Sequence, residues 1–196
     1  MPPNVYQMVP IANPRDAIGR LVWNLSRLLD RCGYRNRILT EHQRSFFRRC
    51  RSGLDNPSLP AWSTLNLPVP DTVVYHHSIG TGVAEHFVQL PCANKILIYH
   101  GVTPSSLLAP RVRHHAEQGI SQLAELASHA RCCIGFSDFI CNELQAVGAP
   151  TILKLPYYLP IVRADPQTRS NTPHVVVVGR VVRHKRVLEC IEAFKC

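Results

Sequence analysis

The chain has 196 residues, enough for one domain or for one domain and part of a second. Hydrophobic residues make up 45% of it, which excludes a disordered protein, and no apolar run approaches the ~20 residues of a membrane-spanning helix. The formal net charge is +9, and the first 51 residues, with ten arginines against three acidic residues, carry +7 of it.

Short apolar runs alternate with amphipathic patterns from the N-terminus to residue 155, which predicts an α/β fold with an open parallel sheet and helices on both faces. The predicted helices begin near Ile18, Val83, Glu117 and Ser137, the last of these with Ser137 or Asp138 as its cap. A proline-rich stretch, residues 52–71, reads as a loop. The predicted strands are Val5–Val9, Arg37–Thr40, Thr72–His76, Lys95–Tyr99, Cys132–Phe136 and Thr151–Leu155.

The C-terminal segment reads as the beginning of a second domain. Four consecutive valines, residues 175–178, are typical of a strand that is buried on both faces. Apolar residues from Val187 to Phe194 then recur at helical spacing. Between these two elements, Arg180 and Lys185 place two cations near a helix N-terminus, a setting that suits phosphate anions. We therefore predict an α/β domain over residues 1–160, a proline-rich linker over 161–173 and an incomplete second domain over 174–196.

Polar residues follow most of the predicted strands, at the edge where open parallel sheets bind ligands. Asp16 and Gly19 lie in the loop after the first strand, His77 and Ser78 follow the third strand, and His100 follows the fourth. Because these loops are also rich in glycine, serine and threonine, we expect His100 at least to line a site.

The densest basic and aromatic patch consists of Arg48, Arg49 and Arg51 beside Phe46 and Phe47. Such a patch is either a solvated helix face or a contact with anionic lipid head groups. Nucleic acid is not expected as a partner, because no zinc-finger spacing or RNA-binding aromatic motif accompanies the charge.

The eight cysteines form no C-x-x-C pair, and the N-terminus lacks the features of a secretory signal. We therefore expect a cytoplasmic protein with reduced thiols and no structural zinc site. The adjacent residues His76 and His77 lie at the end of a predicted strand, where neighbouring side chains point to opposite faces, so the pair is a poor bidentate metal ligand.

Gly80-Thr-Gly82 follows a strand and precedes a helix, as a dinucleotide-binding motif does. Glu85 stands where the third glycine of that motif should be, and its carboxylate would repel a pyrophosphate. The pattern therefore argues against an oxidoreductase that uses a nicotinamide or flavin.

Taken together, the motifs resemble the retaining GT-B glycosyltransferases of the large "group 1" type over nearly the whole chain. The resemblance implies two Rossmann-like domains that face each other across a cleft, the first binding the acceptor and the second a nucleotide-sugar donor. The motifs that carry it are Asp16-Ala-Ile-Gly19, Val-Val-Tyr-His76-His77-Ser-Ile-Gly80, Lys-Ile-Leu-Ile-Tyr-His100-Gly-Val-Thr-Pro104, Ser137-Asp138 with Glu143-Leu144 and Gly148, and Val-Gly179-Arg180 with Lys185.

The same resemblance implies a role for each site residue. Arg180 and Lys185 match the contacts to the donor diphosphate, and His100 matches a histidine that meets the donor sugar at the reacting centre. The loop from Asp16 to Gly19 matches a region near the donor phosphates and the acceptor. His77 and Ser78 are the weaker matches, to acceptor contacts. These enzymes use the nucleotide sugar as a substrate and need no metal ion or other cofactor.

Two complete domains would need far more chain than 196 residues. We therefore expect a truncated or split enzyme, half of a two-chain enzyme whose partner supplies the donor domain, or a stand-alone binding module. Two functions stay open. One is transfer of a sugar to a saccharide or lipid-linked acceptor at the inner face of a membrane. The other is non-catalytic binding of an acceptor or of an anionic membrane surface.

Overall fold

The computed structural model describes residues 2–41, 68–157, 172, 174–178, 181 and 185–194. The strands are β1 (Asn4–Val9), β2 (Arg35–Thr40), β3 (Thr72–His77), β4 (Lys95–Tyr99), β5 (Cys132–Gly135) and β6 (Ile152–Lys154). The helices are α1 (Ala17–Arg31), α2 (Val83–Gln89), α3 (Pro110–His129), α4 (Asp138–Ala146) and α5 (Val187–Ala193), and a short 3₁₀ turn covers Ser105–Leu107.

The six strands form one open sheet in the order β2-β1-β3-β4-β5-β6, and every neighbouring pair is parallel. The central strands β1, β3 and β4 are buried along most of their length, as expected for a parallel sheet that is covered by helices. The predicted α/β class with an open parallel sheet is thereby confirmed, and it fits a Rossmann-like fold.

Alternating side chains divide the core between the two faces of the sheet. On one face, Val9 and Ile38 pack with Val22 of α1, and on the other Met8 and Leu97 pack with Phe87 of α2 and with the apolar sides of α3 and α4. Because every neighbouring pair of strands is parallel, the carboxyl ends of all six strands lie at one edge of the sheet, which positions the candidate site.

Helix ends follow local chemistry. The Ser137 hydroxyl accepts a hydrogen bond from Ile140 N at 3.3 Å and so caps α4, as one of the two predicted caps. Gly33 and Gly148 follow α1 and α4 with positive φ angles of 81° and 77°, the left-handed conformation that glycine adopts at low cost.

Helix α3 begins at Pro110, seven residues before the predicted start near Glu117. Its first turns are mostly exposed, so they carry no apolar periodicity, and Ala116 is the first fully buried residue of the helix. Proline at the first helical position starts the helix without a side-chain cap, because its missing N–H would have no partner there.

The prediction of a strand at Val175–Val178 is wrong. Residues 174–178 are not in a strand, and the four valines are 52–91% exposed. A strand is stable only when it is paired and one of its faces is covered. Helix α5 does form where it was predicted. Most of the predicted loop at 52–71 and of the linker at 161–173 lies outside the described residues, and the second domain stays a prediction.

In the described part of the chain, none of the helices has both the length and the apolar character that crossing a membrane would require.

Candidate ligand site at the carboxyl edge of the sheet

The loops after β1 and β3 leave the sheet toward opposite faces. Helix α1 packs on one face and α2 on the other, so the winding of the chain reverses between these two neighbouring strands. Such a switch point opens a crevice between the loops, where open α/β sheets bind ligands. The predicted site residues Asp16, His77 and Ser78 all lie in or next to these two loops.

Asp16 is the N-cap of α1. Its Oδ1 atom accepts a hydrogen bond from Gly19 N at 2.6 Å, which satisfies one of the free amides of the first turn. The side chain remains exposed. The carboxylate therefore has a structural role in the helix and is still accessible at the carboxyl edge of the sheet.

Gly19 lets the loop after β1 fold against the first turn of α1. A Cβ atom on Gly19 would lie 1.9 Å from the carbonyl oxygen of Asn13, far inside van der Waals contact. The Asp16–Gly19 motif thus has a packing reason of its own, and its predicted contact with phosphate or acceptor stays a prediction.

His100 directly follows β4, and its backbone N–H donates to His77 O at 2.9 Å. Its half-buried ring lies among three other rings. The centroid distances are 5.5 Å to His76, 5.3 Å to Phe136 and 6.3 Å to Tyr157. Phe136 and Tyr157 contact each other at 4.5 Å. Because Phe136 follows β5 and Tyr157 follows β6, the aromatic group spans the carboxyl ends of three adjacent strands.

Tyr157 also connects this aromatic group to Asp16. Burial raises the pKa of the Tyr157 phenol, and the nearby Asp16 carboxylate raises that pKa further. Asp16 follows β1 and His100 follows β4 of the parallel sheet, so both lie at the same edge, as the sequence predicted.

Burial lowers the pKa of His100 to about 3, with a smaller contribution from His77. The ring is therefore neutral near pH 7, where one ring nitrogen donates a hydrogen bond and the other accepts one. A neutral ring suits positioning of a ligand hydroxyl, the role expected for His100, better than it suits proton donation.

His76 connects His100 to the interior of the sheet. Its Nδ1 atom lies 3.2 Å from Nε2 of His100, and its Nε2 atom lies 3.2 Å from Oε1 of Gln7. His76 is fully buried, and burial followed by the neighbouring His100 lowers its pKa well below the usual value.

His77 points to the opposite face of the sheet, as the alternation of a strand requires. It is fully buried, its Nε2 donates to Gly119 O at 2.8 Å, and its Nδ1 lies 3.3 Å from the Tyr75 hydroxyl. Both ring nitrogens are thus engaged, and the side chain anchors β3 to α3. Ser78 is half-buried at the start of the next loop. Its predicted acceptor contact remains untested.

Of the two predicted diphosphate contacts, Lys185 is exposed just before α5. Arg180 lies outside the described residues, and so do Arg48, Arg49 and Arg51 of the basic patch. Their roles stay predictions.

Across the described residues, no three His, Cys, Asp or Glu side chains are grouped so that they could hold a metal ion. The six described cysteines are all free thiols.

No model of a known protein family matches this sequence, and no curated protein sequence matches it either.

Sequence reasoning did not identify several residues that build the site. The sequence places Phe136 only at the end of a strand, gives no signal for Tyr157, and indicates no role for the His76 side chain in a ligand site. Gln7 was read only as part of a strand. The missed signal is a polar residue inside a buried strand, because such a group must find a buried partner.

Proposed function

We propose that this chain is the acceptor-side part of a glycosyltransferase that uses a nucleotide-sugar donor. The observation that carries the proposal is the contact of His100 with Phe136 and Tyr157 at the carboxyl edge of the sheet, the edge at which Asp16 also lies. The motif resemblance is a second, independent support.

The chemistry of this group suits a sugar. A sugar ring has apolar C–H faces that pack on aromatic rings, and its rim carries hydroxyls that donate and accept hydrogen bonds. Phe136 and Tyr157 offer the packing surface, while the Asp16 carboxylate and the neutral His100 imidazole offer polar partners.

In this proposal, the transfer step also depends on Arg180 and Lys185. The leaving nucleoside diphosphate gains negative charge as the glycosidic bond breaks, and fixed cations stabilise that charge more in the transition state than in the ground state. The Arg48–Arg51 patch would hold the enzyme near a membrane with a lipid-linked acceptor.

The test is ligand-observed NMR with the full chain and a panel of saccharides and nucleoside-diphosphate sugars. We expect binding of at least one saccharide, with affinity at least ~10-fold weaker for His100→Ala and Tyr157→Ala. Tyr34→Ala is the matched control, because Tyr34 is an exposed tyrosine that precedes β2 at the opposite edge of the sheet. Saccharide binding that none of the site variants weakens would contradict the proposal.

A second assay separates the two functions. The chain is incubated with labelled nucleotide sugars and vesicles that contain anionic lipid and a lipid-linked acceptor. Transfer of label to the acceptor supports the glycosyltransferase. Sedimentation with anionic vesicles that is the same with and without nucleotide sugars, in a chain that binds no free saccharide, supports the non-catalytic membrane-binding module instead.

A further inference from the structure

A continuous line of polar side chains crosses the sheet on the face covered by α1. It runs from Ser26 of α1 through Asn36 of β2, Gln7 of β1 and His76 of β3 to His100 after β4. Asn36 Nδ2 donates to Ser26 O at 3.4 Å and also contacts the Ser26 hydroxyl, and Gln7 Nε2 donates to Asn36 Oδ1 at 3.0 Å. The two histidine contacts, each 3.2 Å, complete the line.

The direction of every hydrogen bond in this line follows from the end at Ser26. The Ser26 carbonyl can only accept, so the Asn36 amide nitrogen faces it and the Asn36 amide oxygen faces Gln7. Gln7 must then donate to that oxygen with Nε2, which turns its own oxygen toward His76. His76 therefore carries its proton on Nε2, and its Nδ1 is an acceptor.

The hydrogen bond between His76 and His100 determines the tautomer of His100. Since His76 Nδ1 accepts, His100 must donate to it from Nε2, and the neutral His100 ring then has an unprotonated Nδ1. Among the described residues, no group forms a hydrogen bond with that Nδ1. Gln7 and His76 are fully buried, whereas His100 is half-buried at the end of the line. Water therefore has little access to the inner bonds and cannot easily replace them.

We propose that Asn36, Gln7 and His76 are positioning residues that hold His100 in the tautomer protonated at Nε2, so that its Nδ1 accepts a hydrogen bond from a ligand hydroxyl. The hydroxyl as ligand group rests on the proposed function, whereas the tautomer does not. The lowered pKa values of His76 and His100 support the inference, because both rings then stay neutral near pH 7.

The first measurement is long-range ¹H–¹⁵N NMR of the ¹⁵N-histidine-labelled full chain near neutral pH. This experiment distinguishes a protonated ring nitrogen from an unprotonated one by chemical shift. We expect a single tautomer for His76 and for His100, each protonated at Nε2. A His100 ring protonated at Nδ1 would overturn the proposal.

Variants at Asn36 test whether the line is responsible. In Asn36→Ala the Gln7 amide loses its fixed direction, so we expect a second tautomer of His100, seen as new or shifted ring signals. In Asn36→Asp the donor to the Ser26 carbonyl is lost, but a carboxylate oxygen still accepts from Gln7 Nε2 and keeps the direction of the Gln7 amide, so we expect the wild-type tautomer of His100. Because Asn36 is half-buried in the edge strand β2, these substitutions disturb the core little.

Gln7→Leu breaks the line nearer to the site and should also release the His100 tautomer. His77 is the internal control, because it is bound to Gly119 O on the other face and should keep its Nε2 proton in every variant. Unchanged His100 signals in both Asn36→Ala and Gln7→Leu would overturn the proposal, since the tautomer would then not depend on the line.

The outcomes also separate this inference from the proposed function. A fixed tautomer that Asn36→Ala releases, in a protein that binds no saccharide, would support the line and contradict the sugar ligand. Saccharide binding equally strong in wild type, Asn36→Ala and Gln7→Leu would contradict the positioning role and leave the proposed function intact.

Discussion

Gly80 and Gly119 pack backbone to backbone where the loop after β3 crosses α3. The amide of Gly80 donates to His115 O at 2.7 Å, and a Cβ atom on Gly80 would lie 2.5 Å from Gly119 N. Gly119 has the same constraint, since its own Cβ would lie 2.7 Å from Gly80 N. The glycine that resembles part of a dinucleotide motif therefore serves close packing of loop and helix.

Gly80→Ala should destabilise the protein by about 1–3 kcal/mol, because the methyl group meets backbone atoms that cannot move aside. The measurement is the midpoint of urea or thermal unfolding. Gly82→Ala is the matched control two residues away. There the nearest atom to a new Cβ is the end of the Glu41 side chain at 3.3 Å, so little change is expected. Equal losses in the two variants would contradict the packing argument.

Acid should unfold this protein at an unusually mild pH. Burial lowers the pKa of His77 to about 4 and of His100 to about 3, and it lowers the pKa of His76 as well. In the unfolded chain these rings take up protons near pH 6.5, so between about pH 6.5 and pH 4 the unfolded state binds more protons. The stabilisation is therefore present above about pH 6.5 and is lost as the pH falls through this window.

Each such histidine changes the free energy of unfolding by about 1.4 kcal/mol per pH unit, so the three together give about 4 kcal/mol per pH unit. Urea unfolding at several pH values measures this slope. His77→Gln, which can still donate to Gly119 O, should reduce the slope by about one third. A slope that His77→Gln leaves unchanged would show that this ring does not stay neutral in the folded protein.

Two substitutions of Asp16 separate its role as a cap from its role in the site. Asp16→Ala removes the acceptor for Gly19 N and should cost about 1 kcal/mol of stability, whereas Asp16→Ser keeps a capping oxygen and should cost little. Both variants remove the carboxylate, so both should weaken saccharide binding. Full binding in Asp16→Ser would assign this residue to helix capping alone.

Thiol reactivity should follow burial. Cys32 is exposed after α1, whereas Cys133 is fully buried in β5 and burial raises its thiol pKa to about 11. Because the thiolate is the reactive form, iodoacetamide should modify Cys133 at least ~100-fold more slowly than Cys32 in the native protein. Peptide mapping by mass spectrometry gives both rates. In urea the two rates should converge, and equal native rates would contradict the buried position of Cys133.

Much of the fold could be predicted from the sequence, because the signals are local. Strand β4 has the predicted bounds, Lys95–Tyr99. A short apolar run between polar turns is typical of a buried strand in a parallel sheet, so the run itself defines where the strand begins and ends. Gly33 and Gly148 follow their helices for an equally local reason, because a left-handed residue after a helix favours glycine through its own backbone sterics. The position of His100 at the carboxyl edge followed from strand direction alone.

Only the tertiary structure decided which polar residues meet. Gln7 and His76 are 69 residues apart in sequence, and their contact depends on β1 and β3 being neighbours, which no local pattern encodes. His76 and His77 look alike in the sequence, yet one faces α1 and the line to His100, and the other faces Gly119 on α3. The four valines at 175–178 are a case in which the local sequence pattern gave a wrong prediction. Their pattern has strong strand propensity, but propensity alone supplies neither a pairing partner nor a covering layer.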